Sequence, residues 1–176
     1  MIFRETPLPG AFVIDIEPAA DHRGFFARTW CADEFSAHGL APEITQCSVS
    51  FNRAVGTLRG MHYQSAPHDE TKLVSCRAGA LYDVMIDLRL DSPNYCQWFG
   101  VELSADNHRM LYIPAGLAHG FLTLQPDTEV FYQISGRFVP EAARGVRWND
   151  PRFGIIWPHP PQIIADRDAN YPDFEA

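Results

Sequence analysis

Ionisable side chains, His62, His68, Glu70 and Lys72 among them, crowd the stretch "GTLRGMHYQSAPHDETKLVSC", residues 56–76. The stretch joins two runs that read as β-strands, where a chain normally places core residues. Further on, "PAGLAHGF" supplies His119 and "EVFYQIS" supplies Tyr132. His62, Lys72, His119 and Tyr132 all fall on strand-like segments rather than at loop tips. A histidine takes a proton from a carbon made acidic by a neighbouring carbonyl. A lysine cation stabilises the enolate oxygen that results. A tyrosine on the opposite face returns a proton, and delivery from that face inverts the centre. An epimerase acting beside a ketone requires that set. Each member also has an ordinary structural reading: a hydrogen-bonded core histidine, a solvated edge lysine, a packing tyrosine.

Elements must position these groups, and the chain offers short strands. Candidate strands are "AFVIDIE", "GFFARTW", "EITQCSVSF", "TLRGMHYQ", "KLVSC", "ALYDVMIDLRL", "QWFGVEL", "RMLYIP", "GFLTLQ" and "EVFYQIS". They are rich in β-branched and aromatic residues and broken by Gly, Pro, Asn and Asp. Tyr82, Val84, Ile86 and Leu88 alternate with Asp83, Met85 and Asp87 and so occupy opposite faces. In "TLRGMHYQ", strict alternation separates Arg59 from His62, so both reach one ligand only if the strand is irregular; Gly60 is the natural place for a bulge. Helical signal is confined to "CADEFSAHGL", ending at Gly39, and to a last turn in "IIADRDANY". About ten short strands in one domain predict an all-β sandwich, jelly roll or small barrel with a concave interior.

Composition limits the function classes. The 176 residues are 46% apolar and 20% charged, which fits a single globular domain over residues 1–176 with a sizeable core. A net charge of −8 argues against nucleic acid, whose binding leaves a basic footprint; a small anionic ligand needs only a few local arginines. No signal-peptide core and no membrane-spanning run is present, and Cys31, Cys47, Cys76 and Cys96 form no CxxC pattern, which predicts reduced thiols in a cytoplasmic protein.

The two histidine-bearing elements resemble those of cupin jelly rolls, which usually carry an HxH pair and an acidic ligand on the first and a histidine on the second. Here His62-Tyr63-Gln64 puts Gln64 where the second histidine belongs, and Lys72 stands near the position of the acidic ligand. His68 and Glu70 flank Pro67 in a loop and are weak substitutes. Two histidines with a cation beside them make a poor zinc or iron site, so the expectation is a cupin without a metal.

A closer resemblance runs in unbroken order from about residue 3 to about residue 172. "DHRGFFART", "GTLRGMHYQ", "TKLVSCRAGALYDVMIDLR", "WFGVELSADNHRMLYIPAGLAHGF", "EVFYQIS" and "RGVRWNDPRFGIIWP" are similar to the dTDP-4-dehydrorhamnose 3,5-epimerase family. The resemblance implies a cupin-type jelly roll with a few short helices, a homodimer, no cofactor, and a dTDP-linked nucleotide-sugar substrate epimerised at C3 and C5. It makes His62 the general base, Tyr132 the general acid, Lys72 the enolate-stabilising cation and Asp168 the partner of the base. Arg23 and Arg59 match phosphate-holding positions, while Gln46, Ser48, His119, Phe26, Phe138 and Arg167 match positions that line the substrate. The apolar "GAFVIDI" segment, costly to leave as a free edge, is expected to be exchanged or shared across the dimer.

The chain departs from that pattern at Cys47-Ser48-Val49, at Arg28, at Ala143 and at Phe138. None of these touches the proton-transfer set, and all bear on the sugar or nucleotide pocket. Two other readings stay open: an epimerase or isomerase acting at one centre of another deoxysugar, and a non-catalytic sugar-nucleotide-binding cupin. A base on one face and an acid on the other would be superfluous in the latter.

Overall fold

A computed structural model describes residues 1–175. In chain order the elements are β1 (Ile2–Glu5), β2 (Phe12–Asp15), β3 (Ala19–Asp21), β4 (Gly24–Phe26), α1 (Ala32–Ala37), β5 (Gln46–Asn52), β6 (Thr57–Gln64), β7 (Lys72–Ala78), β8 (Ala80–Asp87), β9 (Trp98–Ser104), β10 (Met110–Ile113), β11 (Leu117–Thr123), β12 (Thr128–Ile134), β13 (Ala143–Gly145), β14 (Ile163–Ile164) and α2 (Asp166–Ala169). One sheet runs β1-β2-β10-β7-β12-β5 and faces a second that runs β13-β6-β11-β8-β9, with β14 added to β6. The pairings within both sheets are antiparallel except β14 on β6. From β5 to β8 and again from β9 to β13 consecutive strands alternate between the two sheets, the jelly-roll arrangement of a cupin.

The core lies between the sheets. Val13, Val74, Leu111, Ile113 and Val130 from the first meet Leu81, Met85, Leu103, Leu117 and Phe121 from the second. β8 is buried on both faces, as in a strand covered on both sides. Its Leu81 and Met85 enter this core, whereas Val84 and Ile86 point the other way, into a cluster with Met61, Ala118, Val146 and Phe153. The C-terminal segment covers that outer face, so the face carrying Asp83 and Asp87 is the inner one.

Some local expectations need correction. "GFFARTW" forms a strand only over Gly24–Phe26, and it pairs with β3 in a two-stranded hairpin off both main sheets. "GAFVIDI" is not a free edge, because β2 lies between β1 and β10 of the same chain. Four strands, β1, β3, β13 and β14, are two to four residues long and carry too little periodicity to be seen in sequence. The four cysteines are free thiols, and none of the helices among the described residues is long and apolar enough to cross a membrane.

Candidate active site

The predicted irregularity in β6 exists and builds the site. His119 of β11 pairs with His62, yet Phe121, two residues on, pairs with Arg59, three residues back. β6 thus holds one residue more than its partner at Gly60–Met61, the count of a β-bulge. Gly60 has φ +118°, and a Cβ there would lie 2.5 Å from the Gly120 Cα and 2.7 Å from the His119 carbonyl oxygen. Only glycine fits such a conformation at so close an approach. The extra residue lets Arg59 and His62 serve one site despite their odd spacing.

The same bulge receives the C-terminal turn. β14 lies parallel to β6, Ile163 beside Thr57, and delivers α2. Asp168 of α2 accepts the Gly60 amide on Oδ2 at 3.0 Å and stands 2.7 Å from His62 Nε2 with Oδ1. Burial works to raise the Asp168 carboxyl, but the bonds from His62 and Gly60 outweigh it and hold the pKa below 3.8. The carboxylate is therefore charged at neutral pH and fixes the orientation of an imidazole that remains 40% exposed.

The facing sheet supplies the other groups. Tyr132 on β12 sits between Ser48 of β5 and Val74 of β7. Burial pushes its phenol far up, with the Asp83 charge adding and the Arg59 charge opposing, so it stays protonated at any working pH. Its ring lies 6.1 Å edge-on from that of His119. His119 Nε2 in turn meets Asp83 Oδ1 at 2.5 Å, deep under the sheet. Lys72 opens β7, with Nζ 3.0 Å from Glu70 Oε1.

Two hollows meet at these residues. One of about 520 Å³ is lined by Gln46, Ser48, Arg59, Glu70, Lys72, Tyr132 and Phe138 among others. The second, of about 260 Å³, is lined by Arg59, His62 and Asp168 together with the β14 segment. Arg59 belongs to both walls, its Nε donating to Asn52 Oδ1 at 2.8 Å. His119 lies behind the join, paired by register to His62 and by its ring to Tyr132.

Four expected site residues line neither hollow: His119, sealed behind the join, and Arg23, Phe26 and Arg167. Arg23 and Phe26 stand on the exposed β3–β4 hairpin, where Arg23 is held by Asp21. Arg167 turns to Tyr171, donating to its hydroxyl at 2.8 Å. Conversely, Asp83, Asn52, Gln64 and Glu70 hold site residues in place and had no assigned role. One signal was available: Lys72 is the single lysine among fourteen basic residues, the other thirteen being arginine. A chain that uses arginine everywhere else and lysine here marks the position as one where a compact point charge matters.

Fold and site together define a cupin-type isomerase, with ionisable groups set on two walls of one mouth. Comparison with known proteins agrees. Residues 5–176 match the family described as dTDP-4-dehydrorhamnose 3,5-epimerase, and the chain belongs to that family. It is 40% identical to the dTDP-4-dehydrorhamnose 3,5-epimerase of Mycolicibacterium smegmatis over 179 residues, covering 99% of this chain and 86% of that protein. The crystal structure of dTDP-4-dehydrorhamnose 3,5-epimerase from Bacillus anthracis, solved with TDP and PPi bound, superposes with a TM-score of 0.94 at 39% identity, covering 98% of this chain and 99% of that one. ChmJ from Streptomyces bikiniensis, a 3′-monoepimerase solved in complex with dTDP-quinovose, superposes with a TM-score of 0.88 at 32% identity, covering 96% of this chain and 85% of that one.

Proposed function

We propose that this single-domain protein epimerises a dTDP-linked 4-keto-6-deoxy sugar, dTDP-4-keto-6-deoxyglucose, at C3 and C5 without metal or other cofactor. The observation that carries the reading is the division of labour across the mouth. The oriented His62–Asp168 pair lies on one wall, and Tyr132 with Lys72 lies on the other. His62 removes the proton beside the C4 carbonyl, and the bonding electrons move onto the C4 oxygen. Lys72 stabilises that enolate. Tyr132 then gives its proton to the carbon from the opposite face as the carbonyl re-forms, and solvent restores both groups. Arg59, at the border of the two hollows, offers its forked donors to the diphosphate. Gln46, Ser48 and Phe138 line the sugar pocket.

The protein acts as a cytoplasmic homodimer. Arg23 and Phe26, 79% and 80% exposed, stand clear of their own chain's pocket, and a second copy is the simplest source of such a hairpin at the mouth. Exposed Val49 and Phe51 on the edge strand β5, beside Phe131 under Arg77, offer an apolar face for that copy.

A second reading, inversion at C3 alone, is favoured by the likeness to the 3′-monoepimerase. One experiment separates the readings. The protein is incubated with dTDP-4-keto-6-deoxyglucose in deuterium oxide, with and without exhaustive chelation, and followed by proton NMR. Deuterium at both C3 and C5 with inverted product, unchanged by chelator, is the expected result. Deuterium at one centre marks the monoepimerase. No exchange at either would mean a binding protein, and turnover restored by one divalent metal would end the cofactor-free reading.

A further inference from the structure

Lys72 does not hold its own position. Its ammonium meets Glu70 Oε1 at 3.0 Å, and both side chains are nearly buried, at 11% and 10% exposure. The other carboxylate oxygen, Oε2, accepts from Gln64 Nε2 at 3.0 Å. Gln64 is itself buried and fully engaged. Its Nε2 also lies 2.9 and 3.1 Å from the His68 and Arg137 carbonyl oxygens, so its two N–H groups are shared among three acceptors, and its Oε1 accepts the Val139 amide at 2.7 Å. The chain ends that meet here are the end of β6, the β6–β7 loop and the segment after β12, so Gln64 also fixes the backbone on either side of Phe138.

We infer that Glu70 is a positioning residue for the enolate-stabilising lysine, held by Gln64 as a fixed bracket. The inference rests on the epimerase reading and extends it to a residue with no role there. The physical reason is the number of acceptors required. Two donors, an ammonium and a side-chain amide, converge on Glu70 from different sides. Only a carboxylate offers each of them an oxygen. The ammonium alone is a freely rotating point charge on a four-carbon stem; the bracket turns it into a cation at a set place, facing the oxygen where charge develops. A misplacement of about 1 Å in such a group costs about 10²-fold in rate.

The single lysine makes the test direct. Protein grown on lysine labelled with carbon-13 at Cε gives one lysine signal, and it is read in wild type, Glu70→Gln and Glu70→Ala. Turnover and solvent deuterium exchange of dTDP-4-keto-6-deoxyglucose are measured on the same samples. Wild type is expected to show two inequivalent Hε protons, as for an immobilised side chain. Glu70→Ala is expected to merge them and to lower kcat and exchange together by about 10²-fold with KM little changed, the pattern of an interaction made only in the transition state. In Glu70→Gln the new amide nitrogen must face either Lys72 or the Gln64 amide, so its loss falls between the other two. This isosteric change keeps the test open where the alanine variant fails to fold. Wild-type turnover in either folded variant, a raised KM with kcat intact, or an unchanged lysine signal would overturn the inference. Absence of exchange in the wild type would defeat the epimerase reading instead, and the lysine signal would still decide the bracket.

Discussion

Two histidine–carboxylate pairs lie side by side across β6 and β11, and they are built for different ends. In the first, both oxygens of Asp168 are occupied, by His62 and by the Gly60 amide, and the imidazole opens to the hollow. In the second, His119 and Asp83 are buried at 6% and 0% exposure, 2.5 Å apart, and Asp83 Oδ2 has no hydrogen-bond partner among the described residues. The same two residue types thus make an accessible pair on one strand and a sealed internal pair on the next. What separates them is the element that brings the carboxylate. Asp168 arrives on the C-terminal turn, from outside the sheet and 106 residues away in sequence. Asp83 belongs to β8, the strand on the far side of β11, and points inward beneath the sheet. Access, more than pairing, sets the role.

The contrast breaks first at His62. His62→Ala is expected to abolish both deuterium exchange and inversion, a loss of about 10²–10⁴-fold, with a smaller effect on stability, about 1 kcal/mol, because water can take over the half-exposed ring's bond to the Asp168 carboxylate. Asp83→Ala is expected to do the reverse. It leaves the buried His119 nitrogen without its acceptor, at a cost of about 1–3 kcal/mol in stability, read from urea unfolding. If Asp83→Ala keeps full stability, or His62→Ala keeps its exchange rate, the division between an open and a sealed pair is wrong. The smallest effect belongs to Asp168→Asn and to acid. The Asp168 pKa is depressed in the folded state, so its contribution to stability is present above the ordinary carboxylate range and is lost as pH falls. The stability gap between wild type and Asp168→Asn should therefore be full at neutral pH and close below about pH 3.8. A gap that stays constant across that range would mean that the His62 and Gly60 bonds do not stabilise the charged form.

Much of this was legible in the residues themselves. Strands such as "TLRGMHYQ" and "EVFYQIS" declared themselves because β-branched and aromatic residues cluster there, and β6 begins and ends where the sequence suggests. The bulge at Gly60 followed from a conflict, since Arg59 and His62 have the wrong parity to share a face. Other features could not be read in this way. The three-residue hairpin β3–β4 carries no period to detect, so "GFFARTW" read as a longer strand. The alternation in β8 was visible, but which face lay inside was not. The more apolar face turned out to be the outer one, because the C-terminal segment covers it. Pairings such as Asp83–His119 and Gln64–Glu70 depend on strand register and loop closure, which leave no trace in local composition.

The bulge glycine has a consequence for sequence variation. Gly60 and Gly120 stand back to back across two strands. A Cβ on Gly60 meets the Gly120 Cα, and a Cβ on Gly120 meets the Arg59 carbonyl oxygen at 2.7 Å and the Met61 sulfur at 2.6 Å. Each obstruction includes backbone, which no side-chain change elsewhere can trim. The two positions therefore form one unit of constraint without mutual rescue. A substitution at either leaves nothing for a second substitution to compensate, and a saturation library over the pair should return glycine at both positions and no coupled alternative. Variation that retunes the sugar pocket has to enter through its other walls, leaving this seam untouched.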